Sequence, residues 1–256
     1  MADETLVPRP SPLLGLTEPM RAAADFASLL PGRFWLRAAP RGDGHRVVVL
    51  PGFTASDRST AALRGFLQRQ GFDARGWELG RNLGSPELSD ALDRLLARAV
   101  DETGAAVSLV GWSLGGVLAR NLARREPGKV RSLITLGSPI AGSPTRTRAW
   151  RLYKQVHPEQ HAGHSRRFDA GAGRPPPEGV ASTAIWSRSD GIVPWQISRE
   201  QPGQRRENLE VLSSHLGLGV NAAVLYAVAD RLSQSPEAWQ AFEPPWWLRP
   251  VLRPAS

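Results

Sequence analysis

The chain has 256 residues, of which 41% are hydrophobic and 22% are charged, enough for one sizeable core in a globular fold. It has no cysteine, so disulfides, thiolate metal sites and a cysteine nucleophile are excluded. The formal net charge is +8, but the arginines are scattered and no nucleic-acid-reading motif accompanies them. The composition therefore predicts no nucleic-acid partner.

Short apolar strands alternate with amphipathic helices along most of the chain, a pattern typical of a parallel sheet flanked by helices. Strands are predicted at 46–50, 72–77, 106–110, 130–136, 183–187 and 209–212. Helices are predicted at about 59–70, 85–100, 114–125 and 221–232. The sequence thus predicts an α/β fold with a mostly parallel central sheet of about six strands.

Three segments lie outside this alternation. Residues 1–45 form a predicted N-terminal extension with a helix. Residues 140–180, inside a core at 46–235, have no strand pattern, which is typical of a lid insert. The Trp- and Pro-rich tail at 236–256 either packs back across the domain or contacts a membrane peripherally, and packing is the favoured interpretation.

The sequence shows no visible targeting signal. No apolar run reaches the roughly 18 residues that a membrane-spanning helix needs. The chain opens Met-Ala-Asp-Glu, which is acidic where a secretory signal is basic. The sequence therefore predicts a cytoplasmic protein, with the tail as its one candidate for peripheral membrane contact.

One motif carries chemistry. Gly111-Trp112-Ser113-Leu114-Gly115 matches the pattern G-x-S-x-G, directly after the most apolar strand and directly before a helix. A nucleophilic serine needs this context because the sharp turn exposes its hydroxyl above the carboxyl edge of the sheet. Crowding at such a turn favours glycine on both sides. Ser113 is therefore the predicted nucleophile.

A serine hydroxyl also needs a base to remove its proton and a carboxylate to orient that base. With this motif, the acid and then the histidine follow later strands. Of the five histidines, only His215 follows a strand at its carboxyl end, because His45 precedes the first strand and the others lie in the insert. His215 is the predicted base.

Asp190 is the predicted acid, because it follows the strand predicted at 183–187. Asp169 is a rival without a preceding strand, and Asp230 comes after the histidine and lies on a helix. The insert histidines, His157, His161 and His164, could bring two imidazoles onto one helical turn, but no acidic ligands accompany them. We therefore predict neither a metal nor a cofactor.

These motifs resemble those of the bacterial lipase and esterase branch of the α/β-hydrolase superfamily. The likeness spans about Val47 to Leu232 and is most specific in three segments, at 107–120, 133–139 and 190–194. Three positions depart from the family pattern: Pro51-Gly52 replaces a usual His-Gly, and Trp112 and Ile140 stand where histidine is common.

The resemblance implies a serine carboxylester hydrolase that works through an acyl-enzyme on small-molecule or lipid esters with a moderately apolar acyl group. Alternatives are an acyltransferase with the same intermediate and a non-catalytic binding protein on the same fold. The resemblance also implies an oxyanion hole from the backbone N–H groups of Phe53 and Leu114. The expected substrate contacts are Trp112, Phe53, Trp150 and Tyr153, and the oligomeric state is open.

Overall fold

The computed structural model describes residues 7–157 and 174–255. Two successive helices open this part of the chain, and strands alternate with helices after them. In chain order the elements are α1 (Pro12–Ala27), α2 (Leu29–Arg37), β1 (Arg46–Leu50), α3 (Ala61–Arg69), β2 (Asp73–Gly76), α4 (Leu88–Thr103), β3 (Val107–Trp112), α5 (Leu114–Arg125), β4 (Val130–Leu136), α6 (Ala149–Val156), β5 (Ala181–Trp186), β6 (Arg206–Val211), α7 (Ala222–Ser233) and β7 (Leu252–Ala255).

The strands form one seven-stranded sheet in the order β2-β1-β3-β4-β5-β6-β7. The first six strands pair in parallel, and β7 runs antiparallel to β6. This confirms the predicted mostly parallel sheet flanked by helices. The seventh strand comes from the tail, where Pro254 and the short length hide any strand pattern. Proline is tolerated there because β7 is an edge strand.

The strand before the serine motif lies inside the sheet. β3 pairs with β1 on one side and β4 on the other, and its residues from Val107 to Gly111 are buried. Apolar clusters cover both faces of the sheet, which explains why this strand reads as a nearly continuous apolar run. The carboxyl end of β3 therefore lies between the carboxyl ends of β1 and β4.

A buried ion pair anchors the helix that follows. Arg120 of α5 is 2% exposed, and its guanidinium contacts both carboxylate oxygens of Glu200, which is 3% exposed. Glu200 also accepts a 3.1 Å hydrogen bond from the hydroxyl of Ser182 on β5. Bidentate arginine–carboxylate contacts constrain geometry strongly, so this pair helps to set where α5 begins.

The predicted insert is only partly described. Its first half contains α6, and the chain is described again from residue 174. Asp169, His161 and His164 lie outside the described residues, so the lid at 140–180 stays a prediction. Among the described residues, no helix is both long and apolar enough to cross a membrane.

The C-terminal tail packs across the domain. Phe242, Leu248 and Leu252 are buried in the core cluster that includes α7. Trp247 stacks on Trp35 of α2, with ring centroids 5.4 Å apart, whereas Trp246 is 80% exposed. The tail therefore completes the core instead of standing apart from it.

Replacing Phe242 by Ala is expected to lower the free energy of unfolding by about 3–5 kcal/mol, because it leaves a cavity where a buried ring was. Trp246→Ala is the matched control, since its exposed ring should change that free energy by less than about 0.5 kcal/mol. Urea denaturation followed by circular dichroism measures both values. Equally small losses would contradict a structural role for the tail.

Candidate active site

A strained turn joins β3 to α5 at Ser113. Its φ is 54° and its ψ is −120°, a region that non-glycine residues rarely occupy. The backbone on both sides is packed too closely for side chains: a Cβ on Gly115 would overlap the carbonyl oxygen of Leu50, and one on Gly111 would overlap the Gly116 backbone. The two glycines of the motif are therefore required sterically.

The predicted acid and base lie in contact. Asp190 follows β5 and His215 follows β6, and each is 4% exposed. His215 Nδ1 lies 2.6 Å from Asp190 Oδ2. The other carboxylate oxygen of Asp190 accepts hydrogen bonds of 2.8 and 2.7 Å from the amides of Ile192 and Val193. When Nδ1 carries the proton toward the carboxylate, Nε2 is the basic nitrogen of the ring.

Gly137 links the serine turn to this pair. The Ser113 amide donates a 2.8 Å hydrogen bond to the carbonyl of Leu136, at the end of β4. A Cβ on the next residue, Gly137, would lie 3.1 Å from both Asp190 Oδ2 and His215 Nδ1. The structure thus brings the three predicted catalytic residues to one edge of the sheet.

Trp112 contacts both the core and the loop that carries His215. Its indole packs against the core cluster that contains Val110, two residues earlier on the same face of β3. Its Nε1 donates a 3.1 Å hydrogen bond to the backbone carbonyl of His215. These contacts hold Trp112 against the histidine loop, and its role as a substrate contact stays a prediction.

An apolar cavity adjoins the serine. The side chains that line it include three of the predicted substrate contacts, Phe53, Trp150 and Tyr153. Trp150 and Tyr153 of α6 stack with centroids 5.1 Å apart, and the Phe53 ring lies 5.5 Å from that of Tyr153. Burial raises the pKa of Tyr153 to about 12, so its phenol stays neutral at physiological pH. The cavity offers an uncharged aromatic wall.

Two backbone amides stand beside the serine without partners. Within residues 7–157 and 174–255, neither Phe53 N nor Leu114 N donates a hydrogen bond to the protein. The next amide, that of Thr54, donates a 2.7 Å hydrogen bond to the carbonyl of Asn82. Gly52 is close to the serine, since a Cβ there would lie 3.4 Å from Ser113 Cβ. These are the two amides that the resemblance implied as an oxyanion hole.

A family model described as alpha/beta hydrolase fold matches residues 30–176, more than half of the chain. The chain belongs to the α/β-hydrolase family. A search of curated proteins found no match.

Solved structures of the α/β-hydrolase fold are similar at low sequence identity. Lipase B of Aspergillus fumigatus has a TM-score of 0.56 and 19% identity, covering 80% of this chain and 59% of its own. The monoacylglycerol lipase of Paleococcus ferrophilus has a TM-score of 0.52 and 14% identity, with coverages of 75% and 96%. Mouse alpha/beta hydrolase domain-containing protein 10 has a TM-score of 0.54 and 17% identity, with coverages of 75% and 90%. These similarities establish the fold.

Glu18 of α1 joins the two loops of this α/β hydrolase that carry the acid and the histidine. Its side chain is 1% exposed, and its oxygens accept hydrogen bonds from the amides of Gly191 (2.7 Å), His215 (3.1 Å) and Leu216 (3.0 Å). Arg21 of the same helix donates to Glu18 at 2.8 Å. The sequence analysis gave this residue no role.

Asp25, two helical turns after Glu18, binds the loop that carries His215. It accepts hydrogen bonds from the amide and hydroxyl of Ser214, at 2.9 and 2.6 Å, and from Asn221 Nδ2 at 2.7 Å. Glu18 and Asp25 are seven residues apart, which places both on one helix face. Two carboxylates at that spacing in a mostly apolar helix were the signal that could have found them.

The electrostatics around His215 favour its charged form. Burial lowers the pKa of His215, but the Asp190 carboxylate, through its charge and its hydrogen bond, and the charge of Glu18 outweigh burial and raise that pKa above its ordinary value of 6.5. A histidine with a raised pKa is a stronger base toward a hydroxyl proton.

A second carboxylate–imidazole–hydroxyl chain lies at the amino ends of the strands. His45 contacts Asp43 Oδ1 through Nδ1 at 2.5 Å and Ser108 Oγ through Nε2 at 2.9 Å. Ser108 is 0% exposed and also accepts a hydrogen bond from Ser132. Burial and the charge of Arg131 lower the pKa of His45. With its hydroxyl out of reach of any substrate, this chain is structural.

Replacing Glu18 by Gln is expected to lower the pKa of His215, because a charge that raises it is lost while an oxygen acceptor remains. The pH titration of the His215 ring protons by NMR measures this pKa. Asp25→Asn is the matched control, since Asp25 is also buried on α1 but binds Ser214 instead of His215, and its shift should be smaller. An unchanged pKa in Glu18→Gln, or equal shifts in both variants, would contradict this role of Glu18.

Proposed function

We propose that this protein is a serine carboxylester hydrolase, with Ser113 as nucleophile, His215 as base and Asp190 as the residue that orients the base. The single observation that carries the proposal is the 2.6 Å contact between His215 Nδ1 and Asp190 Oδ2 at the sheet edge where Ser113 occupies its strained turn. In the structural chain at His45, by contrast, the serine is Ser108, which is fully buried within β3.

In the proposed reaction, His215 Nε2 takes the proton from Ser113 Oγ while Oγ bonds to the ester carbonyl carbon. The carbonyl electron pair moves onto its oxygen. His215 then gives the proton to the leaving alcohol as the carbon–oxygen bond breaks, which leaves an acyl-enzyme. Water, deprotonated by the same imidazole, releases the acid and restores Ser113. Asp190 holds the tautomer and stabilises the imidazolium without taking the proton.

The amides of Phe53 and Leu114 are proposed to hold the oxyanion. Two features support this assignment: neither amide donates to another described residue, and Leu114 is the first residue of α5. A helix N-terminus favours negative charge. Backbone donors preorganised in this way typically contribute about 2.7–4 kcal/mol each to transition-state stabilisation.

The cavity walls suggest the acyl group. Phe53, Trp150 and Tyr153 present aromatic surface beside Ser113, which suits a moderately apolar acyl chain. Two of the similar structures are named lipases, which favours esters over amides as substrates. We therefore propose esters of moderately apolar acids, including lipid esters, as the substrate class.

Ser113 is expected to react with a fluorophosphonate probe, and Ser113→Ala should abolish labelling and strongly slow the hydrolysis of p-nitrophenyl esters. The kcat should fall by on the order of 10⁴- to 10⁶-fold, because only binding and oxyanion stabilisation remain. A panel of acyl lengths would report the fit to the cavity. Heat-denatured protein is the control for nonspecific labelling.

Two outcomes would contradict the ester hydrolase. Folded protein that takes up no probe at Ser113 would indicate a non-catalytic binding protein. Transfer of the acyl group to an added alcohol or thiol in strong preference to water would indicate an acyltransferase with the same acyl-enzyme.

The pH profile follows from the raised pKa of His215. Catalysis needs a neutral imidazole, so kcat/KM should fall as the pH drops through this pKa, with a midpoint above 6.5. Asp190→Asn removes the carboxylate charge that raises the pKa of His215, whereas burial still lowers that pKa. The midpoint of kcat/KM should therefore move to lower pH, and kcat should fall by about 10⁴-fold. A wild-type midpoint at or below 6.5, or one that Asp190→Asn leaves in place, would contradict the proposed pair.

A further inference from the structure

The N-terminal helices expose the side that a globular protein usually buries. The buried positions of α1 are Glu18 and Asp25. Most large apolar residues of α1, and several of α2, face outward instead, namely Leu13 (68% exposed), Leu16 (80%), Met20 (69%), Phe26 (59%), Leu30 (71%) and Phe34 (59%). Contiguous apolar surface of this kind on a monomer marks an interaction site.

Five of these exposed residues, all except Phe26, lie on one stripe. Ser28, between α1 and α2, keeps helical angles (φ −60°, ψ −20°), and backbone hydrogen bonds run through it from Ala24 to Gly32. In a nearly continuous helix, spacings of three and four residues stay on one side. That spacing runs through Leu13, Leu16, Met20, Ala23, Ala27, Leu30 and Phe34. We call this set the apolar stripe; at about 1.5 Å per residue the two helices extend for roughly 40 Å.

The charges beside the apolar stripe have one sign. Between residues 7 and 42 the only acids are Glu18 and Asp25, and both are buried against the site loops. The exposed charges of this segment are Arg9, Arg33, Arg37 and Arg41. Arg33 and Arg37 lie 4.9 and 5.8 Å from the Phe34 ring. The outer face of the helices is thus apolar and cationic.

The charge pattern distinguishes between two candidate partners of the apolar stripe, a second copy of the chain and an anionic lipid surface. A second copy of the chain would set arginines against arginines with no exposed acid in the segment to pair with them, in a protein of net charge +8. An anionic lipid surface matches both properties, because apolar side chains enter the interface while arginines bind the headgroups. We propose that α1 and α2 dock this protein on an anionic lipid surface through the apolar stripe.

The tail adds one residue to this surface. The Trp35–Trp247 stack holds the tail against α2, and Trp246, the residue before Trp247, is 80% exposed. Tryptophan favours membrane interfaces. This docking surface differs from the membrane contact that the sequence analysis considered for the Trp-rich tail. Phe242 and Leu248 of that tail are buried in the core.

Docking would bring the cavity near the lipid. The carbonyl of Pro10, just before α1, accepts a 2.9 Å hydrogen bond from Arg148, which directly precedes α6. Helix α6 carries Trp150 and Tyr153 of the cavity wall. Access of lipid esters to Ser113 rests on the proposed function, whereas docking itself does not.

Co-sedimentation of the full chain with vesicles tests the inference. Binding is expected to phosphatidylcholine vesicles that contain phosphatidylglycerol, to weaken with salt, and to be much lower on phosphatidylcholine alone. The double variants Leu16→Ser with Leu30→Ser, and Arg33→Gln with Arg37→Gln, should each reduce the partition coefficient about tenfold or more. Because the altered side chains are exposed, circular dichroism should show folded protein.

Two controls make the test specific. Arg94→Gln with Arg98→Gln removes the same charge from exposed positions of α4, which packs against the other core cluster, and should reduce binding much less. Ser113→Ala should bind vesicles as tightly as the wild type, because docking does not need the nucleophile. Vesicle binding therefore tests docking even if the protein shows no ester hydrolysis. Absence of binding, or an equal loss in the α4 variant, would overturn the inference. So would a dimer that Leu16→Ser with Leu30→Ser dissociates.

Discussion

The arrangement of the candidate site depends on how closely α5 approaches the strands before it. Ser113 can hold its unusual backbone angles only because Gly111 and Gly115 leave the space that two Cβ atoms would fill, against the backbone of Gly116 and Leu50. That close contact sets the start of α5 beside the end of β1, where Gly52 approaches Ser113. The buried pair of Arg120 and Glu200 then anchors the same helix.

One helix unites the site and the surface. In α1 the usual arrangement is inverted: Glu18 and Asp25 point inward and hold the loops of Asp190 and His215, while Leu13, Leu16 and Met20 point outward. A buried carboxylate is costly unless its oxygens are satisfied, and here several backbone amides satisfy them. The same inversion leaves apolar side chains without a core to enter. Positioning of the histidine and exposure of the apolar stripe therefore have a common cause.

Features with a local cause were predictable. The helix expected at 114–125 is observed at Leu114–Arg125, because its start follows a motif whose glycines act on neighbouring residues. The strand at 130–136 was equally clear, since β-branched residues and burial on both faces leave a simple pattern. The sequence analysis missed β7, because this strand is stabilised by pairing with β6 and residues 252–255 show no strand pattern of their own.

By itself the sequence determined the α/β alternation, the candidate Ser113 at its turn, and the order in which Asp190 and His215 follow, because each leaves a pattern within a few residues. Only the tertiary structure decided that Glu18, almost two hundred residues before His215, binds its amide, and that the Trp112 indole binds the backbone carbonyl of His215. Such contacts depend on which faces meet after folding. Periodicity along the chain reports that a residue is buried or exposed, and not which distant partner it meets.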